Sequence, residues 1–384
     1  MRIGFYAPLK TPSHSKPSGD REIGRLLLEA LKALDHEVEV ISNLRSWEGR
    51  GHQETQKDIR QASIKEVKAI LRKYSKKPAP DLIFTYHVYH KAPDWIGIEV
   101  ASALNIPYVI AEASFAPKQL NGPWHYGHQQ TLRCIQRADR IIAINPADIE
   151  CLKPLVNSNH RIDWLKPFLG EIPIPPVEIP VTGKDNANSD MLTSINNFNR
   201  NTVNLITVAM MRNGDKKASY KLLSESLKKL GSKNWKLFII GNGDAAIEIK
   251  QFFHGVCGEC IFAGELNKGE VFNYLSKSDI FVWPAVNEAL GLALLEAQAF
   301  GLPAIVQNYG GVSTIVEDSV TGYVTNPDNI DEFVFALNSL ITDRHKRQIM
   351  SRAAKRKFQA EHSFDVALKR IKAIFDHMEI VRKP

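Results

Sequence analysis

A chain of 384 residues is longer than one hydrophobic core usually serves and fits two domains. With 44% hydrophobic and 24% charged residues and no apolar run long enough to cross a bilayer, the composition excludes a disordered chain and a helical membrane span. The start shows no basic, apolar leader, so a cytoplasmic location is expected. The net charge of +7 favours an anionic partner without choosing among a nucleotide, an acidic lipid surface and nucleic acid. Of the four cysteines only Cys257 and Cys260 form a close pair, CGEC. A zinc site would need a second pair or histidines at ligand spacing, so reduced structural thiols are expected.

In chain order, MRIGFYAP reads as a short strand, GDREIGRLLLEALKAL as a helix with apolar Ile23, Leu26, Leu27, Ala30, Leu31 and Leu34, and HEVEVIS as the next strand. The βαβ unit recurs through PDLIFTYH, WIGIEVASALN, IPYVIAEA, a helix through TLRCIQRA, and DRIIAIN, which predicts a doubly wound parallel sheet. Between them, IKEVKAILRKYSKK places Ile64, Val67, Ile70, Leu71 and Tyr74 on one face with basic residues opposite. Such a stripe is usually core, and it is also how a peripheral enzyme touches anionic lipid.

From Glu171 to about Asn201 the chain is rich in Pro, then in Asn, Ser and Asp, which predicts a linker. Strands resume at VNLITVAM, WKLFIIGNG, ECIFAG, DIFVWP, PAIVQN and GYVTN, alternating with helices, as a second α/β unit. The expected domains are 1–175, a linker at 176–201, 202–363, and a terminal helix over 364–384.

The stretch WPAVNEALGLALLEAQAFGLPAI sets Glu288 and Glu296 among core-like residues. Its helix is expected to begin near Leu290, with Gly291 in the first turn, where free amides favour an anion. Glu288 before the helix and Glu296 within it then border one crevice at the carboxyl end of the sheet, where carboxylates suit sugar hydroxyls. Read singly, Glu288 is a helix cap and Glu296 a solvated acid. Leu292, Leu295 and Ala299 on the same half-turn argue that Glu296 is partly buried.

Here the sequence resembles the retaining GT-B glycosyltransferases of family 4, the group 1 glycosyltransferases. Their pattern is met in order by Glu288, Glu296, Ala297, Ala299, Gly301, Pro303, Gly310, Gly311 and Gly322. Upstream, VAMMRNGDKK resembles the family's diphosphate loop. Arg212 would be one cation; the other is Lys217 by family spacing, or Lys216 if the loop carries an insertion. IIGNGD resembles the Gly-x-Gly turn at Gly241 and Gly243, and FAGEL the segment near the base, from Gly264 to Leu266. In the first half, PSGDREIGRLL resembles the glycine loop with Gly19. The position where many relatives carry a histidine after a strand holds Glu112, Ala113 and Ser114 instead. FTYHVYHKAPDW offers His87, His90 and Lys91 at another strand end, where a histidine is either structural or a substrate contact.

The resemblance implies a GT-B fold, two Rossmann-like domains facing each other across a cleft, with the final helix returning to the first. It implies a retaining glycosyltransferase taking a nucleotide-diphosphate sugar to a glycan, lipid-linked or small-molecule acceptor, with no cofactor and no metal, and possible contact with the inner face of an anionic membrane. Glu296 would hold ribose hydroxyls and Glu288 those of the transferred sugar. Arg212, the lysine and the amides of Gly291, Leu292 and Ala293 would hold the phosphates. The alternatives are a nucleotide-sugar epimerase and a non-catalytic nucleotide-sugar binder. Nucleic acid is not an expected partner, because no recognition-helix motif or basic-aromatic strand pattern is present.

Overall fold

The computed structural model describes residues 1–15, 18–158, 161–172, 202–231, 234–327 and 329–378. The expected linker lies almost wholly outside them. The chain forms two compact units, Met1–Pro167 with Phe364–Pro384, and Phe168–Ser363.

The first unit is a six-stranded parallel sheet of β1 Arg2–Tyr6, β2 Glu37–Ser42, β3 Leu82–Val88, β4 Tyr108–Ala113, β5 Arg140–Ala143 and β6 Ile162–Trp164, in the order β2-β1-β3-β4-β5-β6. Central strands LIFTYHV and YVIAEA are near-continuous apolar runs because helices cover both faces. The helices are α1 Gly19–Ala33, α2 Gln53–Tyr74, α3 Gly97–Leu104, α4 His125–Arg137 and α5 Pro146–Leu152. Helix α1 starts where Ser18 Oγ accepts from the Arg21 amide at 3.2 Å, and it buries Ile23, Leu26, Leu27, Ala30 and Leu31. The chain adds β2 on one side of β1 and then β3 on the other, so the topological switch lies between β1 and β3.

Helix α2 starts well before Ile64, and its inner face runs through Gln56, Ser63, Ile70 and Tyr74. That phase turns Ile64 outward, 41% exposed, which removes it from the expected apolar stripe. Helix Phe364–Asp376 belongs to this unit. It buries Ala367, Ile371, Ile374 and Phe375, and the Phe375 ring lies 5.6 Å from His36 and 6.4 Å from Phe84. Its Arg370 donates to the Trp164 carbonyl at 3.0 Å and to Asp163 at 3.1 Å.

The second unit is also a six-stranded parallel sheet: β7 Val203–Val208, β8 Trp235–Ile240, β9 Glu259–Gly264, β10 Ile280–Val282, β11 Ala304–Gln307 and β12 Gly322–Thr325, ordered β12-β11-β10-β7-β8-β9. Its switch lies between β7 and β10. The unit begins after Pro167, earlier than the expected 175, because Leu169 is buried in its core and donates to the His362 carbonyl at 3.2 Å. Cys257 and Cys260 are free, and Cys260 sits on β9 rather than at a helix start.

Candidate functional site

In the second unit the loops after β7 and β10 meet at the switch. After β7 the chain turns at Gly214 into helix Asp215–Lys228. After β10, residues 283–291 lead to helix Leu292–Ala299. Ala285 and Asn287 adopt φ of 60° and 50°, the left-handed region that side chains avoid. Three contacts hold that turn. Val286 N–H donates to Ser219 Oγ and Asn287 Nδ2 to Asp215 Oδ1, both at 3.0 Å, and Gly311 N–H donates to the Glu288 carbonyl at 3.3 Å. Strain maintained by its surroundings is a common mark of a working site.

Within this frame the Lys216 ammonium pairs with Glu288 Oε2 and lies 5.5 Å from the Trp283 ring centre. The Trp283 indole N–H also approaches Glu288 Oε2, at 3.4 Å. Trp283 is fixed edge-on by Tyr220 at 4.9 Å, whose hydroxyl donates to the Ala209 carbonyl at 2.7 Å. Lys217, the residue favoured by family spacing, points elsewhere: its ammonium pairs with Glu248 of helix Ala246–Phe252, and its amide donates to the Arg212 carbonyl at 3.1 Å. Consecutive helix residues project about 100° apart, so only one of the two lysines can reach Glu288. Arg212 is exposed on the same loop.

Gly291 caps helix Leu292–Ala299 with φ 56° instead of lying in its first turn. The first intrahelical bond runs from Leu295 N–H to the Gly291 carbonyl at 3.0 Å, so the Leu292 and Ala293 amides have no helical acceptor. Glu296 is half-buried on this helix. At the β8 end, a Cβ on Gly241 would meet the Ala209 carbonyl oxygen at 1.9 Å, so only glycine lets the β7 and β8 loops close up. Gly241 N–H donates to the Gly264 carbonyl at 2.7 Å, tying in the β9 end, where Leu266 is half-buried. Gly310 serves similarly: its Cβ would lie 2.3 Å from the Glu288 carbonyl oxygen.

The first unit gathers a different group at the ends of β3 and β4. His87 and Glu112 both adopt left-handed φ, 62° and 60°, on adjacent strands. His87 Nδ1 lies 3.3 Å from Asp20 Oδ1, at the start of α1. Gly24 brings α1 against Tyr86, 3.2 Å from its would-be Cβ. Ser114 Oγ donates to Asp148 Oδ1 of α5 at 2.8 Å. Burial opposes a charge on His87, but the carboxylates of Glu112, Asp20 and Asp148 outweigh it and push the imidazole up to about 9. His90 and Lys91 turn away from this group. They pack on Trp124, with ring centres 5.6 Å apart and the lysine 4.5 Å from the ring, and burial followed by the Lys91 charge brings His90 down to about 4. Gly19 is exposed, and a Cβ there would meet nothing within 4 Å, so the protein itself does not require glycine.

Two doubly wound parallel α/β units, the second with a cation and a carboxylate at its switch point, define a GT-B architecture. Residues 194–357, within the second unit, match the model of the family described as Glycosyl transferases group 1. Sulfoquinovosyl transferase SQD2 of Arabidopsis thaliana is 31% identical over 36% of the chain and 27% of its own length. A GDP-mannose-dependent monoacylated alpha-(1-6)-phosphatidylinositol monomannoside mannosyltransferase of Corynebacterium glutamicum is 30% identical over 35% and 37%. An Escherichia coli UDP-Gal:alpha-D-GlcNAc-diphosphoundecaprenol alpha-1,3-galactosyltransferase is 33% identical over 29% of each chain. These matches thus span between about a quarter and two-fifths of the relatives' lengths. Among solved structures, sucrose-phosphate synthase from Thermosynechococcus elongatus aligns with TM-score 0.72 at 14% identity, over 98% of both chains. The Anabaena protein HepE, solved with UDP, aligns with TM-score 0.71 at 14% identity, over 98% and 100%. At that identity the likeness establishes the GT-B fold.

Proposed function

We propose that the chain is a retaining glycosyltransferase that moves a sugar from a nucleotide-diphosphate sugar to a glycan, lipid-linked or small-molecule acceptor. The observation that carries this reading is the Lys216–Glu288–Trp283 constellation at the β7/β10 switch, beside the free amides of Leu292 and Ala293. Ligands of doubly wound sheets bind in that position. Lys216, Arg212 and the amides meet the diphosphate charge as it departs, without a metal. Glu288 then exchanges its lysine partner for hydroxyls of the transferred sugar, and Glu296 takes the ribose hydroxyls. The acceptor enters on the face the diphosphate leaves, which retains anomeric configuration.

A panel of uridine, guanosine, adenosine and thymidine diphosphates and their sugars tests the donor side by thermal shift. A native-state ligand at about 100 times its Kd stabilises by roughly 2.7 kcal/mol. One base is expected to stand out, and Glu296→Ala to lose most of its shift. No shift with any nucleotide, or a product of inverted configuration, removes the reading.

We also propose peripheral contact with anionic membrane through the outer face of α2, where Lys57, Arg60, Ile64, Lys65, Lys68 and Arg72 are largely exposed. Two of the relatives' names specify lipid-borne acceptors. Among the described residues no helix is long and apolar enough to cross a membrane. Each basic residue near an anionic surface contributes about 1 kcal/mol, so Lys65→Glu with Lys68→Glu is expected to cut co-sedimentation with phosphatidylglycerol vesicles more than about tenfold. Equal sedimentation of the variant would rule α2 out as the docking face.

A further inference from the structure

The group at the ends of β3 and β4 in the first unit is not accounted for by donor binding. Glu112 is 5% exposed and Tyr86 1% exposed, so carboxylate and hydroxyl are buried side by side, and burial raises Glu112 above the usual carboxylate range although the Tyr86 hydroxyl works against it. A carboxylate buried this far costs free energy even beside a hydroxyl, so its retention calls for a reason. The charged and titratable groups around His87 come from every neighbouring element. They are Asp20 of α1 with Lys10 acting on it, Tyr86 and Tyr89 of the β3 end, Glu112 of β4, and Asp148 of α5. His87 thus lies among three carboxylates, Asp20, Glu112 and Asp148.

We propose that Glu112 is a positioning residue that holds His87 as an imidazolium, so that the β3 end presents a hydrogen-bond donor to a neutral hydroxyl of the acceptor rather than a base. Glu112 stands beside His87 on the neighbouring strand, since β3 and β4 pair Tyr86 with Ala111 and Val88 with Ala113. Asp20 at His87 Nδ1 favours the protonated histidine, and Asp20 in turn is kept below the usual carboxylate range by His87 in spite of its own burial. His87 Nδ1 is buried against Asp20 while the side chain as a whole is 15% exposed, which leaves Nε2 to donate. The Asp20 side chain, 41% exposed, offers an acceptor beside it. A donor next to an acceptor matches a hydroxyl, which is both. Three carboxylates around one cation disfavour a phosphate or carboxylate ligand. The left-handed backbone of His87 and Glu112 is the strain this arrangement sustains.

Assigning that hydroxyl to the acceptor rests on the glycosyl-transfer reading, whereas the charge state of His87 does not. NMR titration of the His87 imidazole in the full chain tests the latter without turnover. The wild type is expected to titrate near 9. Glu112→Gln is expected to lower that by about one unit or more, and Asp20→Asn by less. Because the raised value means protonation is lost as pH rises through it, acceptor KM should climb on the alkaline side, earlier in Glu112→Gln, while nucleotide binding stays unchanged. Wild-type His87 titrating near its ordinary value, or at the same value in Glu112→Gln, overturns the proposal. So does transfer that speeds up as the imidazole loses its proton, the signature of a base. If Glu112→Gln does not fold, Asp20→Asn at its half-exposed site serves instead: with Glu112 still in place His87 is expected to stay above its ordinary value, and a fall to that value overturns the proposal. Failure of all nucleotides to bind would instead strike the donor reading and leave the His87 titration intact.

Discussion

Lys216→Ala is expected to lower the rate of sugar transfer by about a hundredfold or more, the usual loss when one preorganised cation or donor is removed from a developing anion. Lys217→Ala is expected to stay within a few-fold of wild type. The two lysines are adjacent in sequence and differ only in helical phase. Lys216 sits between Glu288 and the Trp283 ring, while Lys217 pairs with the 56%-exposed Glu248, and such surface pairs contribute little. In the unliganded protein Lys216 neutralises Glu288, so its loss also leaves that carboxylate without its cation. Steady-state kinetics with both variants decide the matter, and larger damage from Lys217→Ala would mean that the diphosphate lies toward the β8 loop.

Gly241→Ala is expected to cost about 3 kcal/mol or more, enough to lower the second unit's melting temperature by several degrees. The glycine has φ 142°, and the new methyl would lie 1.9 Å from the Ala209 carbonyl oxygen. Neither loop can give way cheaply. Ala209 N–H donates to the Ile240 carbonyl and Met211 N–H to that of Asn242, both at 3.0 Å, and the Tyr220 hydroxyl also engages Ala209. Gly214→Ala is the control: φ is 85° but nothing lies within 4 Å of the added carbon, so only backbone strain of about 1–3 kcal/mol is expected. Calorimetry of both variants separates crowding from strain, and equal losses would refute the crowding argument.

The twelve strands differ in how well they could be read in advance. Runs such as LIFTYHV and WKLFII announce themselves because they are buried on both faces. Strand β6, three residues long, and α5, seven, carry too little pattern. Helix Arg344–Glu361 is polar nearly all round and buries only Met350, Ala354 and Phe358, which leaves a faint period. In α2 the inner face includes Gln56 and Ser63, polar residues that disguise its phase. At the switch point the motif residues were visible, but the choice of Lys216 required knowing that Gly214 caps the helix. Trp283 reads as core and is also the wall of the site. The His87 group was the least visible, since positions 20, 86, 87, 112 and 148 share no spacing. Its one clue was that PDLIFTYH and IPYVIAEA both place a titratable residue at or near the end of a buried strand.

The first unit is discontinuous in sequence: its sheet comes from residues before 168 and the helix that covers Phe84 and His36 from residues after 363. During synthesis the earlier segment therefore emerges with an apolar face that nothing yet seals, and waits while the whole of the second unit is made. The second unit's described strands and helices all lie before Phe364, so it is free to fold first. Order of assembly thus runs opposite to order of translation, and the turns around Ile371 and Phe375, made after the second unit, close the first.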